Sequence, residues 1–138
     1  MKSRSKFPMM VAVCAAMLSA SAMTTAALAL SPSKVIIAHD PDKDGSLDRR
    51  EVIRAAIDKF KLLDHDHDGS LDQAELSGVL KSHHLAALEH HRNGTLRLGG
   101  YLRLVKRTFR YVNTDHDRTL EADELDTPAG HFLMRLIY

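Results

Sequence analysis

From residue 48 onward, apolar residues recur at helical spacing between short, strongly polar stretches. Val52, Ala56, Phe60 and Leu63 follow one another at steps of four, four and three. Leu98, Leu102, Val105, Phe109 and Val112 repeat the stripe at four, three, four and three. Such steps put each set on one face of an α-helix. Two rods of about 15 residues are therefore predicted, each roughly 22 Å long at the helical rise. Thr127-Pro128 predicts the start of a last apolar helix, because proline suits the first helical position. Its Phe132, Leu133, Leu136 and Ile137 should cap the core.

A different apolar run opens the chain. Met9 to Leu18 is too short to span about 30 Å of hydrocarbon. Lys2, Arg4 and Lys6 precede it, and small residues ending in Ala27-Leu28-Ala29 follow. This reads as an export signal over 1–29, cut after Ala29. Cutting after Ala20-Ser21-Ala22 would leave the apolar Met23 to Leu30 on the product. A retained anchor would need a longer run without Ser and Thr, and Val13 is not the small residue expected before a lipidated Cys14. The expected product is a periplasmic or secreted domain over 30–138.

Composition sharpens that picture. The 138 residues suit one domain, and the single cysteine, Cys14, lies in the signal, so no disulfide staples the product. The chain has 19 Lys+Arg against 18 Asp+Glu; losing three cations with the signal leaves 16 against 18, a net charge of −2. The product should be soluble and monomeric. It should have no nucleic-acid partner and no membrane contact.

The polar stretches between the rods repeat. Asp40-Pro41-Asp42-Lys43-Asp44-Gly45-Ser46-Leu47-Asp48-Arg49-Arg50-Glu51 matches Asp64-His65-Asp66-His67-Asp68-Gly69-Ser70-Leu71-Asp72-Gln73-Ala74-Glu75, 24 residues later. Both fit the twelve-residue EF-hand loop. Carboxylates at positions 1, 3 and 5 converge on one side of a turning backbone, and glycine at 6 allows the turn. The candidate ligands are Asp40, Asp42, Asp44, Ser46 through its carbonyl, Asp48 and Glu51. In the second loop they are Asp64, Asp66, Asp68, Ser70, Asp72 and Glu75. An all-oxygen cage of this kind fits a hard cation, Ca²⁺ or a trivalent lanthanide.

Two further copies are altered. Residues 89–100 keep Asn93-Gly94 and Leu96 but have lost the acids, with Arg97 at position 9 and Gly100 at position 12, so this loop is expected to be structural only. Residues 113–124 offer Asn113, Asp115, Asp117, Thr119, Glu121 and Glu124, with Arg118 where glycine should be. A non-glycine residue held at positive φ costs roughly 1 kcal/mol or more, so weak binding is expected there.

Loop starts at 40, 64, 89 and 113 leave 12 or 13 residues between loops, so one helix must serve two loops. The expected fold is all-α: a compact EF-hand domain of four loops at 24–25-residue intervals, with shared short helices in a small bundle. Loops 1 and 2 then sit at opposite ends of one rod, and loops 3 and 4 at opposite ends of the other. Antiparallel rods pair loop 1 with 4 and loop 2 with 3. This needs a break in the middle stretch, where Gly78 and the possible N-cap Ser82 stand. A continuous middle helix would pair 1 with 3 and 2 with 4 instead. Leu47, Leu71, Leu96 and Leu120, at position 8, supply the contact in either case.

The short intervals, Pro41 at position 2, Asn113 at position 1, acids at position 9 and the tail Thr127-Pro128-Ala129-Gly130 to Leu136-Ile137 together resemble the lanmodulin family. These are periplasmic EF-hand proteins of methylotrophic bacteria selective for trivalent lanthanides. The resemblance covers 36–138. It implies loops 1 and 4, and 2 and 3, lying together around three helices. The chain departs from the family in keeping the position 2 proline only at Pro41, with His65, His90 and Thr114 elsewhere.

Other features compete for attention. His83, His84, His90 and His91 flank Leu85-Ala86-Ala87-Leu88, and are either a transition-metal patch or solvated surface. Arg103, Lys106, Arg107 and Arg110 make a basic helix face that either meets an acidic partner or lipid, or balances the acidic loops. A sensor acting through a protein partner would present a Met-rich groove, yet Met134 is the one methionine after Ala29. No nucleophile motif points to an enzyme. The function expected is sequestration or carriage of hard cations, with a plain calcium buffer or sensor as the alternative.

Overall fold

In the computed structural model, residues 30–80 and 94–138 are described. Residues 1–29, where an export signal is expected, Ser82, the histidines between 83 and 91, and 89–93 of the third loop lie outside the described residues. The described chain is mostly helical.

Helix α1, Pro32–His39, begins with proline at its first position and leads directly into the first acidic loop. Helix α2, Arg49–Leu63, follows that loop. The Asp48 side chain accepts from the backbone N–H of Arg50 and Glu51, and Glu51 accepts from the N–H of Asp48. This reciprocal cap satisfies amides that a helix start otherwise leaves orphaned. Helix α3, Leu98–Val112, is the second long rod. A four-residue turn, α4 (Ala122–Leu125), and α5, Pro128–Ile137, close the chain. Thr127 caps α5 by accepting from the N–H of Gly130.

Both rods have the predicted lengths, and α2 packs on α3 with α5 lying against both. Their buried faces are rotated slightly from the predicted stripes. On α2 the core side includes Val52, Ala55, Ala56 and Phe60, with Leu63 only half-buried. On α3 it is Tyr101, Leu104, Val105, Phe109 and Val112, while Leu98 and Leu102 lie at its margin. Tyr101 takes over because its ring meets Phe60 edge-on at 5.6 Å and its hydroxyl donates to the Leu136 carbonyl at 2.7 Å. That carbonyl lies in the last turn of α5, where no helical N–H can reach it. Leu133, Leu136 and Ile137 are buried as expected, with Met134 beside them and Phe132 only partly covered. Gly130 is a packing requirement: a Cβ there would stand 2.4 Å from the Leu125 carbonyl oxygen.

The rods run so that loops meet in pairs at two poles. Leu47 and Leu120 exchange two backbone hydrogen bonds of 3.0 Å, joining the first loop to the fourth. Strands β1 (Ser70–Leu71) and β2 (Leu96–Arg97) pair antiparallel, Leu71 opposite Leu96, joining the second loop to the third. Of the two arrangements open to the sequence, this is the one with antiparallel rods. Gly78 has φ +91 in the turn after the second loop, consistent with a chain that breaks there. In the third loop, the Leu96 side chain lies where a Cβ on Gly100 would be, 2.8 Å away.

Candidate metal centre

Three loops share one backbone design. The sixth residue has positive φ in each: Gly45 (86°), Gly69 (80°) and Arg118 (85°), with Gly94 (75°) keeping it in the third. Arg118 therefore holds the left-handed conformation that its place in the repeat demanded. The fourth residue does so as well, which the sequence reading missed: Lys43, His67 and His116 lie at 61°, 59° and 66°. Histidine is among the non-glycine residues enriched in that region. A signal was thus present in two of the nine histidines. Both rings are exposed, and His116 Nδ1 lies 2.9 Å from the Asn113 carbonyl.

The turn brings carboxylates together. In the first loop Asp40, Asp42 and Glu51 each offer an oxygen within 4.8 Å of the others. In the second Asp64, Asp66 and Glu75 do so, and in the fourth Asp115, Asp117 and Glu121. The fifth-position acids all accept from the seventh residue, Asp44 and Asp68 standing outside the close groups and Asp117 within its own. Asp44 accepts from the Ser46 N–H and hydroxyl, Asp68 from those of Ser70, and Asp117 from those of Thr119. Asp48 caps α2 by accepting from the Glu51 N–H, and Asp72 accepts in the same way from the Glu75 N–H at the start of a turn. In the fourth loop Glu121, not Glu124, joins the close group, and Thr119 donates to it at 3.2 Å.

Several oxygens in these loops are buried and unpartnered. Asp64 Oδ1, Asn113 Oδ1 and Glu124 Oε2 have no hydrogen-bond partner, on residues only 5–8% exposed. Their other atoms are tied down: Asp64 Oδ2 by the Gly69 N–H, Asn113 Nδ2 to the Thr119 carbonyl, and Glu124 Oε1 by Thr114 N–H. Leaving such an oxygen dry costs about 1–3 kcal/mol, more when charged. All three are acceptors that a cation would satisfy. Pure oxygen donors without thiol or ring nitrogen suit a hard cation.

The twelfth residue is held differently in the first loop. Glu75 Oε1 accepts from the His65 N–H at 2.8 Å and its Oε2 from Asp72 at 3.1 Å; Glu124 Oε1 likewise accepts from position 2, at Thr114. Glu51 has only the Asp48 N–H, on Oε2 at 2.8 Å, because Pro41 at position 2 has no N–H to give.

The electrostatics carry the mark of crowded like charge. Asp42 is pushed above the ordinary carboxylate value by a proton-sharing contact with Asp40, then by burial and by Asp44. Burial would raise Asp40 too, but the Gly45 N–H, the Asp42 contact and the Lys43 and Asp44 N–H groups outweigh it and hold Asp40 low. Glu51 is raised by burial and then by Asp48, Asp42 and Asp40. Glu121 is raised by burial and by Asp117, whereas Asp117 is lowered by the N–H and hydroxyl of Thr119.

No protein-family model and no curated protein matches the chain. Among the described residues no helix is long and apolar enough to cross a membrane.

Proposed function

We propose that this is an exported EF-hand protein that binds hard cations of the Ca²⁺ and lanthanide class and sequesters or carries them. The observation that carries the reading is the set of buried, unpartnered oxygens at loop ligand positions: Asp64 Oδ1, Asn113 Oδ1 and Glu124 Oε2. A loop acidic merely for solubility would expose these groups. Here backbone groups of the loop, an N–H for Asp64 and Glu124 and a carbonyl for Asn113, fix one atom of each side chain and leave the second dry. The paired positive φ values at positions 4 and 6 and the Leu47 to Leu120 bridge support the same reading.

Under this reading Glu51, Glu75 and Glu124 close the shells, and Asp40, Asp64 and Asn113 open them. Loops 1 and 2 carry five carboxylates each and bind more tightly than loop 4, which has Asn113 and Arg118. Trivalent ions gain more than Ca²⁺ from so anionic a shell. The test is a competition titration of the protein with Ca²⁺ and La³⁺ by calorimetry. Two tight equivalents and a weaker third are expected, with Glu51→Gln and Glu75→Gln each removing one tight equivalent. Four equal sites, or tight binding that survives both changes, would refute the assignment. Ca²⁺ binding as tightly as La³⁺ would leave a calcium buffer or sensor.

A further inference from the structure

A cavity of about 790 Å³ opens between the first turn of α2, the last turns of α3 and the fourth loop. Arg49 and Arg50 line it from α2, Arg110 from α3, and Arg118 and His116 from the loop, with the largely buried ring of Phe109 between. Among the described residues none of the four guanidiniums makes a hydrogen bond or ion pair. They do not neutralise the neighbouring acidic loops by direct contact. Asp48, the carboxylate in the wall, is already engaged by the N–H groups of Arg50 and Glu51 at 2.6 and 2.8 Å. That same cap occupies the amides of the α2 N-terminus, so the cavity's character comes from its side chains.

The four arginines stand exposed around a concavity whose wall is mostly apolar, and their unpaired charges bias its field toward anions. Guanidinium forks match oxyanions with two parallel hydrogen bonds, and they lie here in two groups, on α2 and on the α3–loop wall. The volume falls within the roughly 300–1,000 Å³ usual for small-molecule sites. Phe109 supplies an apolar face for a flat body. We propose that this cleft binds a small organic dianion whose two oxyanion groups, carboxylate or phosphate, flank a planar apolar core. The cleft borders the cation loops and shares Asp48, Asn113 and Thr119 with them, but its arginines take a ligand of the opposite charge, which goes beyond the loops' assignment.

The test is titration of the protein, in calcium-containing buffer, with 2,6-naphthalenedisulfonate, followed through the arginine Nε–Hε signals by NMR. Sulfonates are poor Ca²⁺ ligands, so the probe does not compete for a loop cation, a fixed calcium concentration keeps the adjoining fourth loop in one state, and circular dichroism checks that each variant is folded. One saturable site is expected, with Kd below about 1 mM and shifts centred on Arg49, Arg50, Arg110 and Arg118. The Arg49→Gln, Arg110→Gln double variant should bind about tenfold or more weakly, while Arg103→Gln, on the same helix but outside the wall, stays within about twofold. The 2-naphthalenesulfonate monoanion should bind less tightly. Naphthalene-2,6-dicarboxylate and 2-naphthyl phosphate then distinguish the two oxyanion chemistries by which competes better. No saturation by about 10 mM, shifts spread evenly to Arg103 and Arg107, or an unchanged double variant would overturn the proposal.

Discussion

Pro41 is expected to tighten cation binding at the first loop by a route that a contact map would not reveal. In the second and fourth loops the position 2 amide binds Oε1 of the closing glutamate, at 2.8 and 2.7 Å. A cation recruiting both oxygens of Glu75 or Glu124 must compete with that N–H for the electron density of Oε1. Proline at 41 has none, so Glu51 keeps Oε1 outside any such tie. Pro41→Ala restores the competing donor and loosens the unbound chain. A hydrogen bond to a charged group is worth about 1.5 kcal/mol at the low end, and lost proline rigidity adds about 0.4 kcal/mol or more. Together these approach about 2 kcal/mol, on the order of thirtyfold in Kd. The residue before it poses no bar to the reverse change: Asp64 (φ −72°, ψ 83°) has nearly the conformation of Asp40 (φ −101°, ψ 87°), which already precedes a proline. His65→Pro should therefore strengthen the second loop. Chelator-buffered Ca²⁺ titrations decide this, with the other loops silenced by Glu→Gln at their twelfth positions. Pro41→Ala binding within about twofold of the parent, or His65→Pro binding more weakly, would refute the argument.

Other outcomes follow from the same geometry. Arg118→Gly relieves roughly 1 kcal/mol of left-handed strain and removes a cation beside the ligands, so the weak third equivalent should tighten about threefold or more by calorimetry. Tyr101→Phe leaves the Leu136 carbonyl buried and unpaired, and should cost about 1–3 kcal/mol in urea unfolding of the cation-loaded protein while leaving stoichiometry unchanged. The raised values of Asp42, Glu51 and Glu121 mean that the cation-free fold gains stability as these groups take up protons and loses it as pH rises through their folded values. The lowered Asp40 and Asp117 stabilise above the ordinary carboxylate range and oppose this only at lower pH. The thermal midpoint of the cation-free protein should accordingly rise from pH 7 to about 4.5, while Ca²⁺ affinity falls across that window.

The rods were legible because their periodicity is strong and their ends are chemically marked. Asp48 with Glu51 and Thr127 with Pro128 are capping signals that act within a few residues. The buried face of α3 was less so, because Tyr101 is ranked by a partner on α5 that no local pattern reveals. Loop pairing was narrowed to two options, since helix lengths place loops at rod ends but only the rods' relative direction joins Leu47 to Leu120. Each acidic group of the candidate site was written in the spacing. The distinction between Glu121 and Glu124 in the fourth loop was not, because it depends on the Thr114 amide and hydroxyl reaching across ten residues. The four-arginine cleft was likewise invisible: its cations come from three segments, and Arg110 was grouped with Arg103, Lys106 and Arg107, which do not line it.

Leu96 filling the space above Gly100 has a historical consequence. A repeat that loses a ligand can in principle regain it by reversing one substitution. In the third loop the tip of the leucine that pairs with Leu71 stands where the first carbon of a closing side chain would go. Putting glutamate back at 100 would push against a side chain committed to the core, and so would meet a stability penalty before any cation could reward it. The other three loops hold glutamate at position 12 together with the same position 8 leucine, so it is the placement of the Leu96 tip that would have to shift, while Arg97 at position 9 would still stand among the restored ligand positions.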